Sequence, residues 1–362
     1  MAPFFVSLLV SCLALGIEAG GRGLMPELQP PVRKSLRSNA TEARAQKRWH
    51  GVETGSGNDQ THLWPNKQIV YAFEQEIYSQ FMGRHFRAAI GLWRSSGLSE
   101  TEYTYKEISL DACESDRAKC LLVKLETEGS HGTHTGLPPT SRTFEGPIMK
   151  LVLPEATDED EENPPAKPPA EQTWEFPEVI AHELGHAWGL MHEHQMPAYW
   201  SKEFNPDMDY DGTAFTSSNF ACETLEGYAE AREKALRAFN GDTERANIIC
   251  HDVREARNFG FAADMYLPDQ DNIVGNKLAL GGLGTDSVDW DSIMIYNTYL
   301  LGEKFLTKPN GEDIVVNKAP SQLDVQAIQE LYSGTYSRPT VTLLNEASNA
   351  QQANFLRIAC ST

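Results

Sequence analysis

Short apolar runs alternate with amphipathic stretches along this chain, and their periods set the expected elements. Gln68-Ile69-Val70-Tyr71-Ala72-Phe73 has the β-branched and aromatic content of a strand, and Met82, Phe86, Ile90 and Trp93 recur at helical spacing, as one buried helix face does. Residues 121–125 and 148–153 are brief apolar runs bounded by Gly, Pro or charge, which predicts two more strands of a mixed sheet. From Thr173 a helix is expected with Glu175, Pro177 and Glu178 in its first turn, Val179, Ile180, Leu184 and Trp188 inward, and a stop near Gly189. Residues 203–285 are mostly polar and irregular, broken by a helix at 224–239. A short helix at 321–332 with Ser321 as N-cap and a strand at 340–344 complete the pattern.

The polar and prolyl stretches divide the chain. Residues 1–19 run apolar from Pro3 to Ile17 and end in small residues, the form of a secretory signal peptide. Residues 20–48 are rich in Pro, Arg, Ser and Ala, carry the sequon Asn39-Ala40-Thr41 and end in Lys47-Arg48, which reads as a pro-segment with a dibasic cut. A globular domain over 49–335 is expected to follow, with an acidic and prolyl insertion at 155–172, an extended insertion at about 203–285 and a C-terminal tail at 336–362. Secretion to the extracellular space follows from the signal, with no membrane anchor once it is removed. In that oxidising setting Cys113 pairs locally with Cys120 and Cys222 with Cys250, leaving Cys360 odd.

Charge narrows the partners. The 362 residues carry a formal net charge of −20, and because residues 1–48 hold seven Lys/Arg against three Asp/Glu, the body downstream stands at −24. Such a surface repels phosphate backbones, so nucleic acid is excluded as a partner.

One constellation carries chemistry. His182-Glu183-Leu184-Gly185-His186-Ala187-Trp188-Gly189-Leu190-Met191-His192 has the spacing HExxHxxGxxH. Histidines four apart share one helix face, so His182 and His186 can reach one ion. Gly189 supplies the left-handed turn that lets His192 return as a third ligand. Three neutral imidazoles leave one position open for water, the arrangement of a catalytic zinc, one per chain, with Glu183 placed to act on that water as general base. Asp207-Met208-Asp209-Tyr210-Asp211-Gly212 follows D-x-D-x-D-G, but Ser218 stands where a calcium loop needs glutamate, so a solvated turn is expected there. His131 and His134 read as exposed loop histidines without a ligand role.

The motif continues as His192-Glu193-His194-Gln195, and Ser292-Ile293-Met294-Ile295-Tyr296 stands far downstream. Together with Trp64-Pro65 before the first strand and the helix at 321–332, this resembles the astacin family of metzincin zinc endopeptidases over about residues 60–333. The resemblance implies an α+β fold of the zincin type in two lobes, a twisted mixed sheet and the active-site helix above, a largely irregular lobe below. It implies that Met294 floors the metal, that Tyr296 is a fifth ligand which swings to the oxyanion, that Glu183 is base and then proton donor, and that Glu193 meets the new N-terminus after activation. Substrates would be proteins or peptides laid along the edge strand of the sheet, for which residues 148–153 are the candidate, an interior strand being the alternative, and a monomer is expected. The chain departs from the family's pattern at Met196, where Arg is usual, at Ile295, where His is usual, and in the long segment between His192 and Met294; no Phe-x-Gly-Asp latch is visible in residues 20–48. A catalytically silent zinc-binding effector and a non-peptidase zinc hydrolase on the same scaffold are the alternatives.

Overall fold

Strand β1 (Gln68–Phe73) leads through two residues into the amphipathic helix α1 (Glu76–Ser95), whose Met82, Phe86, Ala89, Ile90 and Trp93 are buried. This is the strand and helix that the spacing predicts, because the i, i+3, i+4 stripe has a sheet to cover. The computed structural model describes residues 51, 61–153, 174–206, 211–269, 284–300 and 303–333. The signal peptide, the pro-segment, the insertion at 155–172, Asp207 and Asp209, the strand at 340–344 and Cys360 lie outside them.

Five strands form the sheet in the order β2-β1-β3-β5-β4, with β2 (Thr104–Glu107), β3 (Leu121–Glu126), β4 (Gly132–Thr133) and β5 (Ile148–Val152). All neighbours are parallel except β4, which runs antiparallel to β5 with Gly132 opposite Lys150 and Thr133 opposite Met149. The expected edge strand is therefore an interior one: β5 pairs on both sides, and the edge is the two-residue β4, too short for a periodic signal. His131 and His134, expected to be exposed, are only 5 % and 6 % exposed, because their Nδ1 atoms accept the amides of Val152 (3.1 Å) and Ile148 (3.0 Å) on either side of that pairing.

The short helix α2 (Leu110–Ser115) follows β2, and helix α3 (Phe176–Trp188) packs on α1 beneath the sheet. It starts three residues later than the pattern suggests, since Glu178 reaches back to the Glu175 amide (2.7 Å) and fixes Glu175 as N-cap. Two tryptophans tie it in place: the indole of Trp64 donates to Ala187 O (2.7 Å) and that of Trp93 to Ala181 O (2.9 Å).

Below α3 the chain builds a second core. The segment that reads as polar buries Phe204, Phe215, Phe220 and Phe261, together with Tyr199 and Trp200 just before it, around short helices α4 (Tyr228–Ala238), α5 (Thr243–Ala246) and α6 (Val253–Asn258). These aromatics fall at irregular intervals, so no period announces them. A small hairpin, β6 (Tyr299–Leu300) with β7 (Glu303–Lys304), and helix α7 (Gln322–Leu331) close the order. Both expected disulfides are formed, Cys113–Cys120 and Cys222–Cys250. Among the described residues no helix is long and apolar enough to cross a membrane. The architecture is α+β, two cores meeting along α3 and residues 292–296.

Candidate metal centre and active site

Every residue of α3 from Val179 to Trp188 is buried, so its polar side chains at His182, Glu183 and His186 must be satisfied inside the protein. The helix ends at Gly189, whose φ of +107° is one that a side chain resists, and Leu190 N bonds back to Gly185 O (2.9 Å). The chain thereby doubles back and brings His192 Nε2 to 3.3 Å from His182 Nε2 and 3.0 Å from His186 Nε2.

The opposite ring nitrogens say which way these imidazoles face. His182 Nδ1 lies 2.8 Å from Ile293 O, His186 Nδ1 2.8 Å from Leu190 O, and His192 Nδ1 2.8 Å from Gln195 Oε1. A carbonyl oxygen only accepts, so all three Nδ1 atoms carry the proton and all three Nε2 atoms present lone pairs. Gln195 cannot turn its oxygen away, because its Nε2 donates to Asp264 O and Leu267 O, both at 3.1 Å. Burial holds the three imidazoles neutral, pushing His186 down to about 4 and the other two well below the usual histidine range. Three lone pairs converging in a dry site repel one another unless a cation lies between them. The residues fit a zinc ion, whose preferred nitrogen donors these are, and among the described residues they form the one cluster of three or more metal-capable side chains.

Glu183 stands beside this triangle with 0 % exposure, and neither carboxylate oxygen has a hydrogen-bond partner. Burial raises its pKa to about 8, and the Thr133 hydroxyl works against that rise. Met294 lies directly beneath the helix: a Cβ at Gly185 would come within 2.5 Å of its sulfur. Tyr296 is buried with its ring 4.4 Å from that of His192 and 6.1 Å from that of His182. The structure thus brings His182, Glu183, His186, His192, Met294 and Tyr296 together. Glu193 is buried one step away, its Oε1 accepting from Tyr199 OH (2.7 Å) and Asp289 N (3.0 Å), and burial raises its pKa to about 8.

Sequence reasoning passed over four residues that shape the site. Gln195 was read only as part of the His192-Glu193-His194-Gln195 run, although its place three residues after His192 was a signal for a one-turn contact. Asp324 on α7 accepts from Ser292 Oγ (2.6 Å) and Ile293 N (2.9 Å), so α7 holds the turn whose Ile293 carbonyl orients His182. His194 accepts from Tyr296 N (3.3 Å) while its Nε2 donates to Met265 O (3.0 Å), which steadies the tyrosine backbone. Trp174 lays its ring 4.7 Å from that of His182 and donates to Asn317 O (2.8 Å). Nothing local in the sequence marked the last three, whose partners are far away along the chain.

The fold is α+β, with a histidine triangle on the helix under a mixed sheet and a methionine beneath that helix. The chain resembles the astacin-like zinc metalloproteases, and the HExxHxxGxxHE and S-x-M-x-Y residues that carry the resemblance meet in space. No family model matches the chain, and no curated protein matches it. Among solved structures it is similar to myroilysin, at 16 % identity and a TM-score of 0.36 over 75 % of this chain and 95 % of that one. It is also similar to high choriolytic enzyme 1, a hatching-enzyme zinc protease from Oryzias latipes (medaka fish), at 14 % identity and a TM-score of 0.37 over 78 % and 98 %.

Proposed function

We propose that this chain is a secreted zinc-dependent endopeptidase, held by one Zn2+ and acting on proteins or peptides. The observation that carries the reading is the convergence of three Nε2 lone pairs beside an unpartnered, buried carboxylate. His182, His186 and His192 would hold the metal, which when bound supplies an acidified water and polarises a peptide carbonyl. Glu183 takes the proton at a carboxylate oxygen and returns it to the leaving amine, a role suited to a buried carboxylate with no other partner beside the metal ligands. Tyr296 would offer its hydroxyl to the oxyanion, and Met294 and Gly189 fix the floor and the turn that hold the histidines.

Residues 1–19 would direct secretion and residues 20–48 would be removed by cleavage after Arg48, with Glu193 awaiting the new N-terminus. The antiparallel bridge between Gly51 and Leu190, three residues before Glu193, supports that last step. The test is cleavage of a denatured protein by the chain processed after Arg48, with and without a zinc chelator. Chelator-sensitive endoproteolysis is expected; none from a zinc-loaded, folded preparation would sink the proposal. Glu183→Ala should bind zinc as the parent does and lose turnover.

A further inference from the structure

Glu183 lacks partners in a place where water cannot supply them, and the segment of β4 and the residues just after it, packed on α3, carries hydroxyls in the same condition. Thr133 and Thr135 are 0 % and 3 % exposed, and neither Oγ1 has a hydrogen-bond partner. A buried polar group left unpaired costs about 1–3 kcal/mol, so orphans gathered between one strand and one helix call for an explanation. Their chemistry is complementary: a carboxylate only accepts, and a hydroxyl can donate. The segment that holds them packs on α3, with Gly136 N donating to His186 O (2.9 Å), and the pairing of Thr133 with Met149 fixes the backbone beneath it. Threonine is stiff about χ1, so its hydroxyl keeps one direction at little entropic cost.

We infer that Thr133 is a positioning residue for Glu183, its hydroxyl donating to one carboxylate oxygen and so turning the other toward the three histidine Nε2 atoms. The inference rests on the reading of Glu183 as the proton carrier. Such bonds are often long in a site without substrate and tighten when the site is assembled, which accounts for the unpaired atoms.

Two measurements on the zinc-loaded chain test it. In turnover, Thr133→Val should lower kcat about 10–100-fold with KM and zinc affinity unchanged, the range for losing a partner behind a working group, and Thr133→Ser should restore it. In thermal unfolding, which needs no turnover, Thr133→Val should lower Tm in the chain that carries Glu183 and leave it unchanged or raised in the Glu183→Ala background. Equal shifts in both backgrounds, or a Thr133→Val enzyme with the parent's kcat, would overturn the inference. A parent chain without chelator-sensitive cleavage defeats the endopeptidase reading instead, and the unfolding cycle still decides whether Thr133 holds Glu183.

Discussion

Gln195 shows how a neutral side chain can set the strength of a metal site. Its oxygen receives the His192 proton and its nitrogen is spent on two carbonyls, so the imidazole has one orientation and one tautomer. Gln195→Ala should weaken zinc binding about 10–100-fold in a chelator competition while the fold persists. Gly189→Ala acts differently, by forcing a side chain into positive φ. It should destabilise by roughly 1–2 kcal/mol in chemical denaturation and pull His192 from the triangle, lowering zinc affinity as well. The histidines were legible because a helix converts fixed spacing into a shared face. Thr133, Trp174 and Asp324 were not, because their roles depend on which elements meet, and no local period encodes that.

At the scale of elements, β4 is held by more than its two residues. The neutral imidazoles of His131 and His134 accept the β5 amides that flank the pairing, and burial pushes both down to about 4. A folded pKa below the unfolded value of 6.5 means the native state binds fewer protons, so stability is full above pH 6.5 and is lost as pH falls toward 4. The loss is of order 3 kcal/mol per imidazole, and the protection factors of the Ile148 and Val152 amides, rates taken relative to the unfolded chain at the same pH, should fall across that window. Replacing both histidines by glutamine should flatten the dependence. The Cys222–Cys250 disulfide closes 28 residues around α4 and α5, and replacing both cysteines by serine should cost roughly 3–4 kcal/mol in denaturant unfolding. Strands β1, β3 and β5, the long helices and both cysteine pairs were readable from pattern. The lower core was not, since irregularly spaced aromatics such as Phe204 and Phe215 announce burial only once the chain has folded around them.

For the whole molecule, the site lies on the seam between two cores. Met294 belongs to the upper core and Ile295 to the lower, so one peptide bond passes from one to the other. His182 and His186 stand on the upper side, while His192 is oriented through Gln195 by the lower. Removing zinc should therefore loosen the two halves together, and a ligand at 1,000 times its Kd adds about 4 kcal/mol, so the chelated protein should unfold at a clearly lower Tm that zinc restores.

The Met294 sulfur beneath Gly185 carries a consequence for how this chain can change over generations. The third residue between the first two histidines looks free in the motif, yet a methyl group there collides with a side chain from a distant turn. Gly185→Ala requires the buried Met294 side chain to move aside, and comes more easily once position 294 has become smaller. The two positions are coupled, so the order in which substitutions arrive, and not only their sum, decides which neighbouring sequences this protein can reach.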